Sequence, residues 1–454
     1  MALRRADTRA VRSKANRNDK AGTAGVDTSA PAATPAPGTT RKRAVIGAVD
    51  QMVWAGQNFI AILTFSHFLD GRSLGAFAVV GAFISLLTGS VLHGIGEYLS
   101  VADRDAMQRR HRSARSSLYR RATTVGVLAA VVFAFVGFAL GGLMSEELRS
   151  AFRFGAIAIA ALMPYEAMRA WLLLTRQAVE ALYIDLARLG LHAGLTILLP
   201  AMGVPWSIGE VMLIWSLSAL FVVLAVDGAA FAKSLLGRIA EVSSFDIRRQ
   251  IRYASDYLFL LGPEQATIPI IAASSGLGLS GTFRLVLAGF LPANAIVQGI
   301  RAINTIPDDQ AAGAGGRGRR IMVFTAVALA VVAAVIIALI VIPADWVAVV
   351  AGDVWHDARP GVFGVGLQRL AAAGVVMMVL YYRWRVDDKV ASGIRRIFAA
   401  FVLLGAVLTG TANTIASAAL IFGVTALTGG VLTAAWAWRQ WSSQRNTAAA
   451  APGV

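Results

Sequence analysis

The sequence contains no cysteine, which removes disulfides, thiolate metal sites and cysteine nucleophiles together. Charge is scarce as well. Asp, Glu, Lys and Arg make up 15% of the residues, where a soluble domain carries about a quarter. No G-x-x-x-x-G-K-[ST] phosphate loop is present. The run Gly313-Ala314-Gly315-Gly316-Arg317-Gly318 lacks the lysine and follows a helical pattern instead of a strand, so it reads as a flexible linker. Energy for any transport therefore has to come from an ion gradient, the membrane potential or consumption of the product. Long polar segments between apolar runs are missing too. The longest outer one, 344–359 with Asp353, His356 and Asp357, is short for the active site of a membrane polymerase or glycosyltransferase, which makes that the least favoured reading. No enzyme activity, cofactor or metal is expected.

What is present is apolar. Of 454 residues, 57% are hydrophobic and the mean hydropathy is +0.64. At roughly 20 residues per span there is room for about ten to fourteen helices. Apolar runs separated by polar breaks give twelve segments: 44–68, 74–101, 121–144, 151–175, 178–200 and 208–233, then 251–274, 277–306, 321–343, 360–382, 394–411 and 414–438. The predicted fold class is all-α, a polytopic membrane protein of about twelve transmembrane helices. Five regions follow: a basic arm 1–43, a six-helix bundle 44–233, a linker 234–250, a second six-helix bundle 251–438 and a tail 439–454.

The formal net charge of +16 would suggest nucleic acid in a soluble protein. Here it is better explained by basic loops facing the cytoplasm, and no nucleic-acid partner is expected. Arg4, Arg5, Arg9, Arg12, Lys14, Arg17 and Lys20 precede an Ala/Thr/Pro/Gly stretch and then Arg41-Lys42-Arg43. No apolar core of a signal peptide follows the early charges. The arm reads as disordered and suited to the anionic inner leaflet. Alternate loops keep the same sign pattern. Basic residues dominate 103–121, 233–252, 307–320 and 383–396, whereas 145–150 and 344–359 carry acids, and 201–207, 275–280 and 412–413 carry no charge. With the arm inside, both termini are predicted to be cytoplasmic and the membrane to be the cell membrane.

A repeat is visible. Gly75-Ala76-Phe77 opens the second segment and Gly281-Thr282-Phe283 the eighth, an offset of 206 residues that also carries Arg43 onto Arg249. An even number of helices per repeat gives both halves the same orientation, so the bundles are parallel and enclose a cavity between them. The stretch Phe68-Leu69-Asp70-Gly71-Arg72-Ser73-Leu74-Gly75-Ala76-Phe77-Ala78 resembles the first hairpin of polysaccharide flippases of the O-antigen and capsule type. Gly278 to Pro292 is similar to the second-half motif of the same family. These flippases lie within the multidrug/oligosaccharidyl-lipid/polysaccharide exporter superfamily. The proline that usually ends helix two is absent, with Glu97-Tyr98-Leu99-Ser100 in its place, while Pro307 does follow the eighth segment. The resemblance implies alternating access of two bundles and flipping of a polyprenyl-linked oligosaccharide for surface polysaccharide export. It implies a monomer, working alongside polysaccharide assembly machinery, and a cavity lined with cations from the eighth helix. A drug or metabolite exporter of the same fold, driven by a cation gradient, is the alternative.

Ionisable groups at membrane depth face the bundle interior or water, so they form the functional shortlist. Arg284 and Arg369 are candidate cavity cations, with Glu264 either a partner for Arg284 or a coupling carboxylate. Folding segments four and five into a hairpin brings Arg169 to Asp185 and Glu166 to Arg188. That set reads either as a structural lock or as arginines shared with a substrate phosphate, with Asp185 and Glu166 as ion-coupling candidates. His93 and Glu97 lie four apart and could form an inner gate. Asp50, at the mouth of segment one, is expected to be solvated.

Overall fold

The computed structural model describes residues 37–101, 111–175, 177–236, 247–304, 314–384 and 388–450. Among these, the first half consists of α1 (Pro37–Phe68), α2 (Gly71–Val101), α3 (His111–Ala139), α4 (Glu146–Leu174), α5 (Ala178–Ala201) and α6 (Ile208–Leu236). The second half consists of α7 (Ile247–Ser275), α8 (Leu277–Gly289), α9 (Leu291–Asn304), α10 (Ala314–Val341), the short α11 (Ala344–Ala351) and α12 (Val354–Ala358), α13 (Val362–Trp384), α14 (Asp388–Leu408) and α15 (Ile415–Ala450). Counting α8 with α9 as one bent rod, six long rods form each half, and the all-α expectation holds. Residues 1–36 of the arm, 103–110 of the basic loop 103–121 and 237–246 of the linker 234–250 lie outside the described residues.

Nine of these helices are long and apolar enough to cross a membrane, or ten with the bent pair. The rods below that threshold, α1 and α7, carry the polar residues that matter later, among them Asp50, Gln57 and Glu264. Burial separates a core from a perimeter. In the apolar window of α4, 72% of residues are buried, against 17% in α10. Leu128, Val131, Val132, Phe135 and Phe138 of α3 are all exposed, an apolar face suited to lipid.

Local chemistry explains several helix starts. The Asp70 carboxylate accepts from the Ser73 amide at 2.8 Å, capping α2. Ser207 and Glu210 form a capping box at the start of α6, with the Ser207 amide donating to Glu210 at 2.9 Å. Gly276, at φ +90°, makes the turn from α7 into α8, a conformation that glycine adopts without steric cost. The eighth segment is not the single rod read from sequence. It breaks at Phe290 with a 46° bend, because Pro292 lacks the amide a continuous helix needs and its ring collides with the carbonyl one turn back.

The halves meet where α2 packs along α7 and α8. At the end bearing the α1–α2 and α7–α8 turns, contact is backbone on backbone. A Cβ at Gly75 would overlap the Leu277 carbonyl oxygen, and one at Gly281 would overlap the Gly71 carbonyl oxygen. Residues 71 and 75 correspond to 277 and 281 under the 206-residue offset, so the two contacts are images of each other. Gly352, between α11 and α12, is also seated closely, on Ser66 and His67 at the end of α1. The repeat extends to packing. Phe77 meets Trp215 of the sixth rod at 5.8 Å, and Phe283 meets Phe422 of the twelfth at 5.3 Å, both nearly edge to face.

Candidate functional site: two buried charge clusters

Each half holds an arginine on its fourth rod that is paired to a carboxylate on its first. In the first half, Arg169 of α4 reaches Asp50 of α1 through Nη2 at 2.6 Å and Asp185 of α5 through Nε at 2.9 Å. In the second, Arg369 of α13 reaches Glu264 of α7 through Nη2 at 2.8 Å. The repeated plan ends there, and the differences determine what each cluster can bind.

The first cluster is closed. Asp185 also accepts from the Tyr165 hydroxyl, and Gln57 donates to the Asp185 backbone carbonyl. Asp50 and Asp185 are completely buried, which corrects the expectation that Asp50 is solvated. Three helices converge on one guanidinium, and α1 has to bury Asp50 to join them. The Arg169–Asp185 pair expected from the hairpin is formed, but Glu166 does not pair with Arg188. Glu166 instead accepts from the indole N–H of Trp54 at 3.4 Å. Arg188 turns away, its guanidinium 4.5 Å from the Tyr165 ring centroid and 3.4 Å from the Trp215 carbonyl. A small cavity adjoins it, lined by Gln57, Ala61, Arg188, Leu189, His192 and Trp215. Removing one partner of such an enclosed set strands buried charge, at a cost of about 3–5 kcal/mol. Arg169→Ala should therefore lower the thermal unfolding temperature markedly. A variant that unfolds like the wild type yet loses function would mean that Arg169 acts on substrate instead.

The second cluster is open. Arg369 is 3% exposed and its Nε has no hydrogen-bond partner. The Glu264 side chain keeps 26% of its exposure. Arg284 of α8 is half-buried and has Glu264 and Arg369 as charged neighbours, but no hydrogen bond or ion pair of its own among the described residues. The sequence offered Glu264 as the partner of Arg284 and left Arg369 without an acid on its own helix. The fold gives Glu264 to Arg369, an acid from another helix, and leaves Arg284 free. With every group ionised, two arginines against one carboxylate give this cluster a formal charge of +1. The first cluster, with Asp50, Glu166 and Asp185 against Arg169 and Arg188, carries −1.

Sequence reasoning missed a further buried acid. Asp227 interrupts α6 with non-helical φ −138° and ψ 20°, and accepts from Tyr119 at 2.5 Å and from Arg115, both on α3. The available signal was an acid near the end of an apolar run, which needs a partner at membrane depth. His93 and Glu97 both lie on α2, but their side chains lie outside the described residues. Asp353 precedes the short α12 and Asp357 lies within it, where His356 approaches Asp345 of α11 at 3.6 Å.

No protein-family model matches the chain, and no curated protein matches it by sequence. Solved structures do match by shape. An inward-facing multidrug resistance MATE family transporter of the MOP superfamily aligns at TM-score 0.65 with 13% identity, covering 89% of this chain and 99% of that one. An outward-facing multidrug resistance MATE family transporter aligns at 0.58 with 12% identity, over 90% and 97%. A MOP superfamily transporter from Pyrococcus furiosus, described by a reverse polarity of its binding pocket, aligns at 0.58 with 12% identity, over 89% and 96%. This chain therefore has the MATE-type transporter fold of two six-helix halves.

Proposed function

We propose that this protein is a secondary transporter that flips a polyprenyl-linked oligosaccharide across the cell membrane by alternating access, for surface polysaccharide export. The observation that carries the reading is the unpartnered guanidinium of Arg284 beside Arg369. A lipid-linked sugar bears a diphosphate, and arginine forks match phosphate oxygens in pairs. Among the remaining acids, Glu166 is the coupling candidate, because Asp185 and Glu264 are already held by arginines. Both termini lie in the cytoplasm in this reading, and the basic arm rests on the inner leaflet. A reporter fused between Thr411 and Thr414 should then read as extracytoplasmic, and a cytoplasmic signal there would break the twelve-span orientation.

The deciding experiment is a proteoliposome assay with a fluorescent polyprenyl-diphosphate oligosaccharide, scored by its accessibility at the opposite leaflet. Export of a cationic drug without any lipid flipping would favour the alternative, a drug exporter driven by a cation gradient. The negative first cluster and the multidrug neighbours lend that alternative its support. Against it, a cation entering the second cluster would have to displace Arg369 from Glu264 and sit beside Arg284.

A further inference from the structure

We infer that Glu264 is a built-in competitor for the anion site, occupying Arg369 when substrate is absent and displaced from it when substrate enters. The inference rests on the anion-site reading above and adds what that site does between transport cycles.

The two halves supply the comparison. In the first, Arg169 is held by two carboxylates that are both fully buried, and Asp185 is further fixed by Tyr165. Nothing there can leave without stranding charge. In the second, Arg369 has one carboxylate, attached through one nitrogen, with its Nε unused. Glu264 accepts no other hydrogen bond among the described residues and remains partly exposed, so no second contact holds it on Arg369.

Charge balance points the same way. Arg284, Arg369 and Glu264 together carry +1. A diphosphate carrying two negative charges would leave the set at −1 with Glu264 in place, but it exactly neutralises the arginines once Glu264 has moved off. Return of Glu264 to Arg369 then opposes rebinding and favours release. Affinity is set aside for turnover, since a site blocked by its own carboxylate binds more weakly in proportion to the fraction of time it is free.

The test is binding of polyprenyl diphosphate to the full chain in nanodiscs, with the uncharged polyprenol as control. Glu264→Gln removes the competing charge and keeps the shape. If Arg369 is free about a tenth of the time, the variant should bind about tenfold tighter while flipping more slowly. In an Arg369→Gln background the same substitution should give a much smaller gain, because the arginine that Glu264 occupies is gone. Glu264→Asp, should Glu264→Gln fail to fold, is expected to shift affinity in the same direction by less. Unchanged or weaker diphosphate binding in the folded Glu264 variant overturns the competitor role. The anion-site reading fails separately, if Arg284→Ala binds the diphosphate as tightly as wild type.

Discussion

Oxidation of a Gly71→Cys/Gly278→Cys variant should reduce transport to background, and a reductant should restore it. A Cβ at Gly71 lies 3.9 Å from the Gly278 Cα and meets nothing closer than 3.8 Å, and a Cβ at Gly278 has nothing nearer than 4.0 Å. Both positions thus accept a side chain, and the close approach of the Gly71 Cβ to the Gly278 backbone brings the two positions within reach of a disulfide. The chain has no cysteine of its own, so the wild-type sequence serves as the background without further changes. Alternating access requires the halves to part at this end once per cycle, and a covalent bond across α2 and α8 forbids it. Each single cysteine should behave as wild type under oxidant. Full transport by a quantitatively cross-linked protein would show that the two halves do not separate here.

Arg284→Ala should abolish flipping while leaving expression and thermal stability unchanged. A charge-assisted contact is worth about 1.5–3 kcal/mol, and every 1.4 kcal/mol is about tenfold in affinity, so binding should weaken by roughly one to two decades. Stability is spared for a specific reason. Glu264 keeps Arg369 as its partner, so removal of Arg284 strands no carboxylate, unlike removal of Arg169. Arg284→Lys should fall between the two, since an ammonium keeps the charge but loses the two-pronged geometry. Retained flipping in Arg284→Ala would remove this residue from the site.

Much of the architecture was legible because bilayer thickness and backbone hydrogen bonding limit the choices to long apolar helices. The read segment 178–200 coincides almost residue for residue with α5 (Ala178–Ala201). The G-x-F repeat marked the residues that bring the halves together, and the packing of Phe77 and Phe283 extends that symmetry beyond the spacing that suggested it. The bend at Phe290 was missed because hydropathy does not register a lost amide, although Pro292 was in view. Side-chain pairing was less legible. Depth along a helix predicted Arg169 with Asp185, since two neighbours in one hairpin share a register. It could not predict Asp50 or the Arg369–Glu264 pair, because those contacts depend on how non-adjacent helices rotate against one another. Depth alone also misassigned Glu166, whose partner Trp54 comes from α1.

The reciprocal seats at Gly75 and Gly281 have a consequence for how this sequence can change over time. The nearest obstacle at each glycine is a peptide carbonyl, so no replacement of a facing side chain can by itself make room for a larger group. The usual route of compensation, a bulky residue gained here and a small one there, is closed at both positions. Drift at either glycine has to be accompanied by a shift of whole helices. That makes the pair a natural reference point for comparing helix spacing among chains that share this fold.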